Sequence, residues 1–263
     1  GYRDSADGTR VDHLNLFQQP AYRRAWTNLV NGLQGDLTLP PLADTHVHRK
    51  LDASWADLLV SQYPEQPQYL ALLKALCGGD LRKPSRFALW YREPGLEKKI
   101  APALALPDVC LPDLRIGEMR TGPDGRESLL ALSASHWGSH HHLDSLNLYY
   151  WKDDHELLSD LGYLWDNPNK HQTARTVAHN TVVVDEEDQL SKERGGDVLF
   201  FVTSPHVKAM RARSSAYARA KRYERTSLLI DHGDGRSYVA DFFIVQGGKT
   251  QDYVFHGPSE HFS

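Results

Sequence analysis

The chain has 263 residues, a formal net charge of −4 and mixed acids and bases, which gives no footprint for nucleic-acid binding. Only two cysteines, Cys77 and Cys110, are present, so neither a disulfide framework nor a cysteine zinc site can be built. No apolar run approaches the length of a membrane span, and six Trp with twelve Tyr leave room for stacking on sugars.

Residues 1–13 are polar and turn-rich, and Gly1-Tyr2-Arg3-Asp4 carries neither a start Met nor a signal peptide, so the chain reads as a piece of a longer protein. Pro20 opens a helix whose apolar face is Tyr22, Trp26, Leu29, Val30 and Leu33, and Gly35 ends it. Residues 35–52, with Pro40 and Pro41, read as a helix-to-helix loop. This loop holds Asp44-Thr45-His46-Val47-His48, which resembles the Asp-x-His-x-His metal signature of amidohydrolases. The two prolines break the strand that such a motif needs.

Asp52 caps a second helix carrying Trp55, Leu58, Leu59 and Val60. A third is expected over Gln66–Cys77, stopped by Gly78-Gly79, and a short fourth over Pro84–Tyr91. From about residue 105 the pattern changes to short strands. Leu111–Met119 alternates less cleanly, and strands are expected at Leu129–Ser133, Ser145–Trp151, His155–Asp160, Asn180–Asp185, Val198–Thr203, His206–Arg211, Tyr223–His232, Ser237–Val245 and Asp252–His256. Thr121–Gly125 is a turn, and His232-Gly233-Asp234-Gly235 a hairpin tip. Helices followed by many short strands predict an α+β chain: a helical segment over 1–105 and a β-sandwich over 106–263.

The ionisable chemistry concentrates in His136–Asp185. If 140–144 is a strand, His140, His142 and Asp144 share one face. Asp160 ends one expected strand and His179 precedes another. Two imidazoles and a carboxylate suit zinc, and without cysteine the set also admits manganese or nickel.

Three ordered stretches then resemble the heparinase II/III-like family of polysaccharide lyases. They are Ser139–Asp144, Leu157-Leu158-Ser159-Asp160-Leu161-Gly162-Tyr163, and Thr176–Asp185, supported by Tyr217…Tyr223–Ile230 and Val239–Phe243. The resemblance implies the last helices of an α/α toroid followed by an antiparallel β-sandwich. It implies cleavage of a uronic-acid glycan by β-elimination, an acidic polysaccharide or oligosaccharide as partner, and a periplasmic or secreted location. By motif match His140 is the sandwich histidine of the chemistry, and His142, Asp160 and His179 hold a structural zinc. Tyr163 and Tyr2 are candidates for the catalytic tyrosine, and Arg175 and Trp165 for contacts to the sugar carboxylate and ring. The family's toroid Asn-His pair has no counterpart here. A homodimer is compatible with the resemblance. Two rival readings are a non-catalytic carbohydrate-binding β-module and a metal-dependent hydrolase using Asp44, His46 and His48. The identity of the glycan is not encoded in these motifs.

Overall fold

The computed structural model describes residues 2–3, 7–8, 10–12, 14–123, 126–135, 140–164, 167–191 and 195–258. The chain forms two compact units, one of residues 1–31 and 52–105, the other of residues 32–51 and 106–263.

The first unit starts with short paired strands β1 (Tyr2–Arg3) and β2 (Arg10–Val11). Helix α1 (Pro20–Asn31) begins at the expected proline. Asp52 accepts from the Ser54 amide and caps α2 (Ala53–Gln62). Pro67 begins α3 (Pro67–Leu76). The fourth helix, α4 (Ala88–Tyr91), is one turn long, shorter than the expected Pro84–Tyr91. Its position is fixed by a buried ion pair: Arg92 spans both oxygens of Asp57 at 2.8 Å and donates to the carbonyls of Leu81 and Lys83. Arg92 is thus tied to α2 at the residue where the helix stops.

The second unit is built on antiparallel sheets. Strands β3 (Val109–Leu111), β4 (Ile116–Thr121), β5 (Ser128–Ser133), β6 (Asn147–Lys152) and β7 (His155–Leu158) pair in sequence order as a five-stranded sheet. A one-turn helix α5 (Lys170–Thr173) leads to β8 (Val182–Val184). Strands β9 (Gly196–Val202), β10 (Val207–Ser214), β11 (Ala220–Gly233) and β12 (Arg236–Gly247) form a four-stranded meander, and β13 (Gln251–Tyr253) returns to pair with β8. The β11–β12 hairpin turns at Gly233–Gly235, as its glycines predict.

Alternation along the central strands explains the layering. Leu130, Leu132, Leu148 and Tyr150 face a core completed by Val182, Val184, Met210, Ala212, Tyr223 and Leu229 from the other strands. Their neighbours Leu129, Ala131, Tyr149 and Trp151 face the opposite way, into a second cluster with Ile116 and Leu42. The central strands β5 and β6 are therefore buried on both faces, which is why β5 reads as a continuous buried run.

Leu42 comes from the 32–51 segment, so that segment covers the outer face of the sheet. It is the expected helix-to-helix loop, joining α1 to α2, with a packing role of its own. The segment is a strap closed on itself by a Thr38–Lys50 bridge and a bond from the Leu51 amide to the Leu37 carbonyl at 3.3 Å. Gln34, 2% exposed, accepts from the Tyr149 hydroxyl at 3.0 Å and donates to Thr38 at 2.7 Å. A Cβ at Gly35 would overlap the Glu127 carboxylate and sit against Trp151, so only glycine lets the strap lie this close.

Candidate metal centre

Residues 140–144 are not a strand, which corrects the expected shared face of His140, His142 and Asp144. The backbone here is committed elsewhere. Leu143 donates to the Ala174 carbonyl at 2.8 Å, and Asn147 donates to the Asp144 carbonyl at 2.8 Å across a turn that puts Leu146 at φ 65°. The histidines separate: the His140 side chain is 77% exposed and that of His142 is 4% exposed.

His142, Asp160 and His179 nevertheless converge. All three are buried, and one ligand atom from each lies within 4.8 Å of the others. The two imidazole rings stand 5.3 Å apart, tilted by 39°. His179 donates from Nδ1 to Asp160 Oδ2 at 3.2 Å. Its Nε2 and the Nδ1 of His142 are buried and face no hydrogen-bond partner, as does Oδ2 of Asp144. Buried polar atoms without partners cost about 1–3 kcal/mol each, and bare imidazole nitrogens are what a metal takes up. Two imidazoles and a carboxylate therefore form a set that could bind a metal.

The electrostatics are those of a compact charged cluster. Burial opposes the Asp160 carboxylate, but His179 alongside, with hydrogen bonds from His179 and the Gly162 amide, holds its pKa below the usual range. Burial likewise opposes a charged His179, and Asp160 outweighs it, raising the imidazole pKa. Asp144 goes the other way: burial raises its pKa, against His179 and with the Asp160 charge adding to the rise.

A shell of amides fixes these groups. Asn147 donates from Nδ2 to Asp160 Oδ2 at 2.7 Å and accepts the Asn180 amide at 2.9 Å. Asn180 donates to the carbonyls of Leu148 and Ser159, each at 2.8 Å, and its Oδ1 accepts the His256 amide at 2.6 Å. The Asn180 carbonyl is held in turn by the fully buried Arg225. Arg225 also donates to the Leu146 carbonyl at 2.8 Å and forks onto Asp241 at 2.9 and 2.8 Å, with Phe243 and Tyr253 against its guanidinium. Sequence reasoning assigned no role to Asn147, Asn180 or Arg225. Asn147 opens the buried strand β6, Arg225 takes an inward position of the alternating strand β11, and Asn180 stands just before β8.

The strap supplies one further group. Asp44 accepts from His140 Nδ1 at 3.0 Å and from His142 Nε2 at 3.2 Å, one on each carboxylate oxygen. His46 and His48 do not join it. Among the described residues, the one group able to hold a metal is His142, Asp160 and His179, which removes support from a hydrolase site of Asp44, His46 and His48. His46 packs instead on Tyr163, ring centroids 5.6 Å apart. Arg175 pairs with Asp188 at 3.0 Å. Tyr2 lies on β1 in the other unit, and Trp165 falls outside the described residues.

This geometry can be set beside known proteins. Residues 119–208 match the family described as Heparinase II/III-like, C-terminal. Over these residues the chain is similar to the heparinase II/III-like family. Among solved structures, a gene product titled heparinase III superposes with a TM-score of 0.70 at 12% identity, covering 92% of this chain and 35% of that one. A heparan sulfate lyase from Pedobacter heparinus gives 0.61 at 15% identity, covering 87% and 34%. Another structure titled heparinase III gives 0.64 at 12% identity, covering 86% and 35%. This chain thus spans about a third of the length of these proteins, and at such identities the likeness is one of fold. No curated protein matches the sequence. The α+β architecture with antiparallel sandwich sheets is shared with these lyases. Among the described residues no helix is long and apolar enough to cross a membrane.

Proposed function

We propose that this chain is the sandwich portion of a polysaccharide lyase that cleaves uronic-acid glycans by β-elimination in a periplasmic or extracellular setting. The observation that carries the reading is an exposed His140 beside a buried His/Asp/His cluster, within a heparinase II/III-like domain. The relatives are titled heparinase III and heparan sulfate lyase, which supports an acidic polysaccharide as the substrate class.

β-Elimination removes the proton at C5, α to the uronate carboxyl group, and expels the oxygen at C4. A base has to meet that proton, and a donor has to meet the leaving oxygen. His140 is the most exposed histidine of the 140–142 run, so solvent, and hence a glycan, can reach it. Imidazole is the side chain most often used for such proton transfers. Tyr163, packed on His46 beside the Asp160 turn, is the tyrosine we assign to the same cleft wall. Arg175 and Trp165 are proposed to meet the sugar carboxylate and ring. Tyr2 is a further candidate for the tyrosine role.

We assign zinc to His142, Asp160 and His179. Two nitrogens and one carboxylate oxygen match its tetrahedral preference and leave one position open. When bound, zinc would serve mainly as a structural cross-link that draws the segments bearing these three residues together.

Two measurements test this. Incubation with uronate polymers, in the context of the full parent protein, should release an unsaturated, ultraviolet-absorbing product, and the His140→Ala variant should not. Metal analysis of this chain should find one zinc, lost in His142→Ala. Full zinc retention by that variant would sink the assignment of the site.

A further inference from the structure

We propose that Asp44 is a positioning residue that locks the exposed His140 and the buried His142 to one another through the two oxygens of a single carboxylate. The inference rests on the roles given above to those two histidines and concerns a residue those roles do not include.

The argument begins with tautomers. A neutral imidazole has one N–H and one bare nitrogen, and the hydrogen bond made by one fixes the other. At His179, Nδ1 donates to Asp160 and Nε2 is bare and buried. At His142, Nε2 donates to Asp44 and Nδ1 is bare and buried. The arrangement is the same at both rings: a carboxylate on one nitrogen, a lone pair presented by the other. Carboxylates that hold metal-ligating imidazoles in this way orient the ring and raise its basicity. Asp44 does this for His142, and its second oxygen is taken by His140.

The strap is built to hold Asp44 still. Leu42 is anchored in the outer-face core, and Ala43 beside it turns through φ 51°. The Thr45 carbonyl accepts the Tyr163 amide at 3.1 Å. Gly162, at φ 51°, lies so close that a Cβ would overlap the same Thr45 oxygen. The Gly162 amide donates to Asp160 Oδ1 at 2.9 Å. The path therefore closes: His142 to Asp44, along the strap to Thr45, across to Gly162 and Tyr163, and back to Asp160. The strap and the motif turn are registered on each other by backbone contacts as well as by the carboxylate.

The test uses the full chain with zinc as the probe. Asp44→Ala should weaken zinc binding about 10- to 100-fold in a chelator competition, the usual cost of losing such a support. In ¹⁵N spectra of the imidazole rings, His142 should be Nε2-protonated in the zinc-free wild type and a mixture of tautomers in the variant. Asp44→Glu should restore part of both signals. Asp44 is 28% exposed, so the substitution is compatible with folding. Should Asp44→Ala nonetheless fail to fold, Asp44→Asn serves instead. It offers one acceptor where two are needed, so it should release one of the two rings. Wild-type zinc affinity together with an unchanged His142 tautomer in Asp44→Ala, or with unchanged tautomers at both His140 and His142 in Asp44→Asn where that is used, would overturn the proposal. If His142→Ala also keeps its zinc, the metal assignment fails instead, and the ring spectra alone decide the role of Asp44.

Discussion

Arg225 offers the largest perturbation that leaves the proposed ligands untouched. Replacing it with Met keeps the bulk and removes the guanidinium. Asp241 would then keep only Ser227 Oγ, at 2.6 Å, and the Tyr253 hydroxyl, while its charge stays 11% exposed. The carbonyls of Leu146 and Asn180 would each lose a donor. Removing one partner of a buried ion pair costs about 3–5 kcal/mol. The sheet unit should lose that much stability, and slowly exchanging amides of β5 should exchange roughly 10²- to 10⁴-fold faster. Hydrogen–deuterium exchange read on peptides from 128–133 isolates this unit from the helices. Adding Asp241→Asn removes the stranded charge, so the double variant should recover about 1–3 kcal/mol relative to the sum of the two single losses. A cost under about 1 kcal/mol for Arg225→Met, or strict additivity in the double variant, would refute the view that this pair braces the Asn180 backbone.

Glu118 gives a pH test away from the cluster. Burial pushes its pKa up to about 7 despite the Arg120 guanidinium at 2.6 Å. The folded state therefore holds this proton more tightly than the unfolded chain. Its contribution is full below about pH 4.5 and is lost as pH rises through about 7, a change of about 3 kcal/mol. Glu118→Gln should thus gain stability relative to wild type across that interval in melts run from acid to neutral pH. A constant difference between the two proteins would contradict it. Gly162→Ala should cost about 1–3 kcal/mol for the left-handed backbone alone. It should also loosen the strap, because the new Cβ overlaps the Thr45 carbonyl. Limited proteolysis should then cut within residues 38–50, and unchanged resistance would contradict the packing described.

Much of the fold was legible because periodicity reports burial. Pro20, Asp52 and Gly78-Gly79 marked helix ends by backbone chemistry that acts locally, and β6 through β13 fell on expected segments. The failures have a common cause. Alternation at His140, His142 and Asp144 looked like a strand, yet alternation of polar residues carries no burial information, and hydrogen bonds to Ala174 and across the Asp144 turn decided the backbone. Convergence of His142, Asp160 and His179 was suggested by their positions at expected strand ends and by resemblance to a family. Asp44 enters the sequence reading only through the Asp-x-His-x-His signature of the rival hydrolase. Its partner lies 96 residues away, and no local pattern encodes a contact at that range. Arg225 and Asn180 were invisible for the same reason: each makes its decisive bonds across strands.

The strap has a consequence for how this protein can change. One stretch of chain both shields the outer sheet face with Leu42 and carries the carboxylate that meets two histidines. Packing and chemistry are inherited together there. A substitution at Gly35 or Leu42 that alters how the strap lies will be felt at Asp44, and a variant with a retuned site will carry a changed sheet surface. Diversification of this region is constrained to move as a block, with the strap, the Gly162 turn and the two histidines varying in concert.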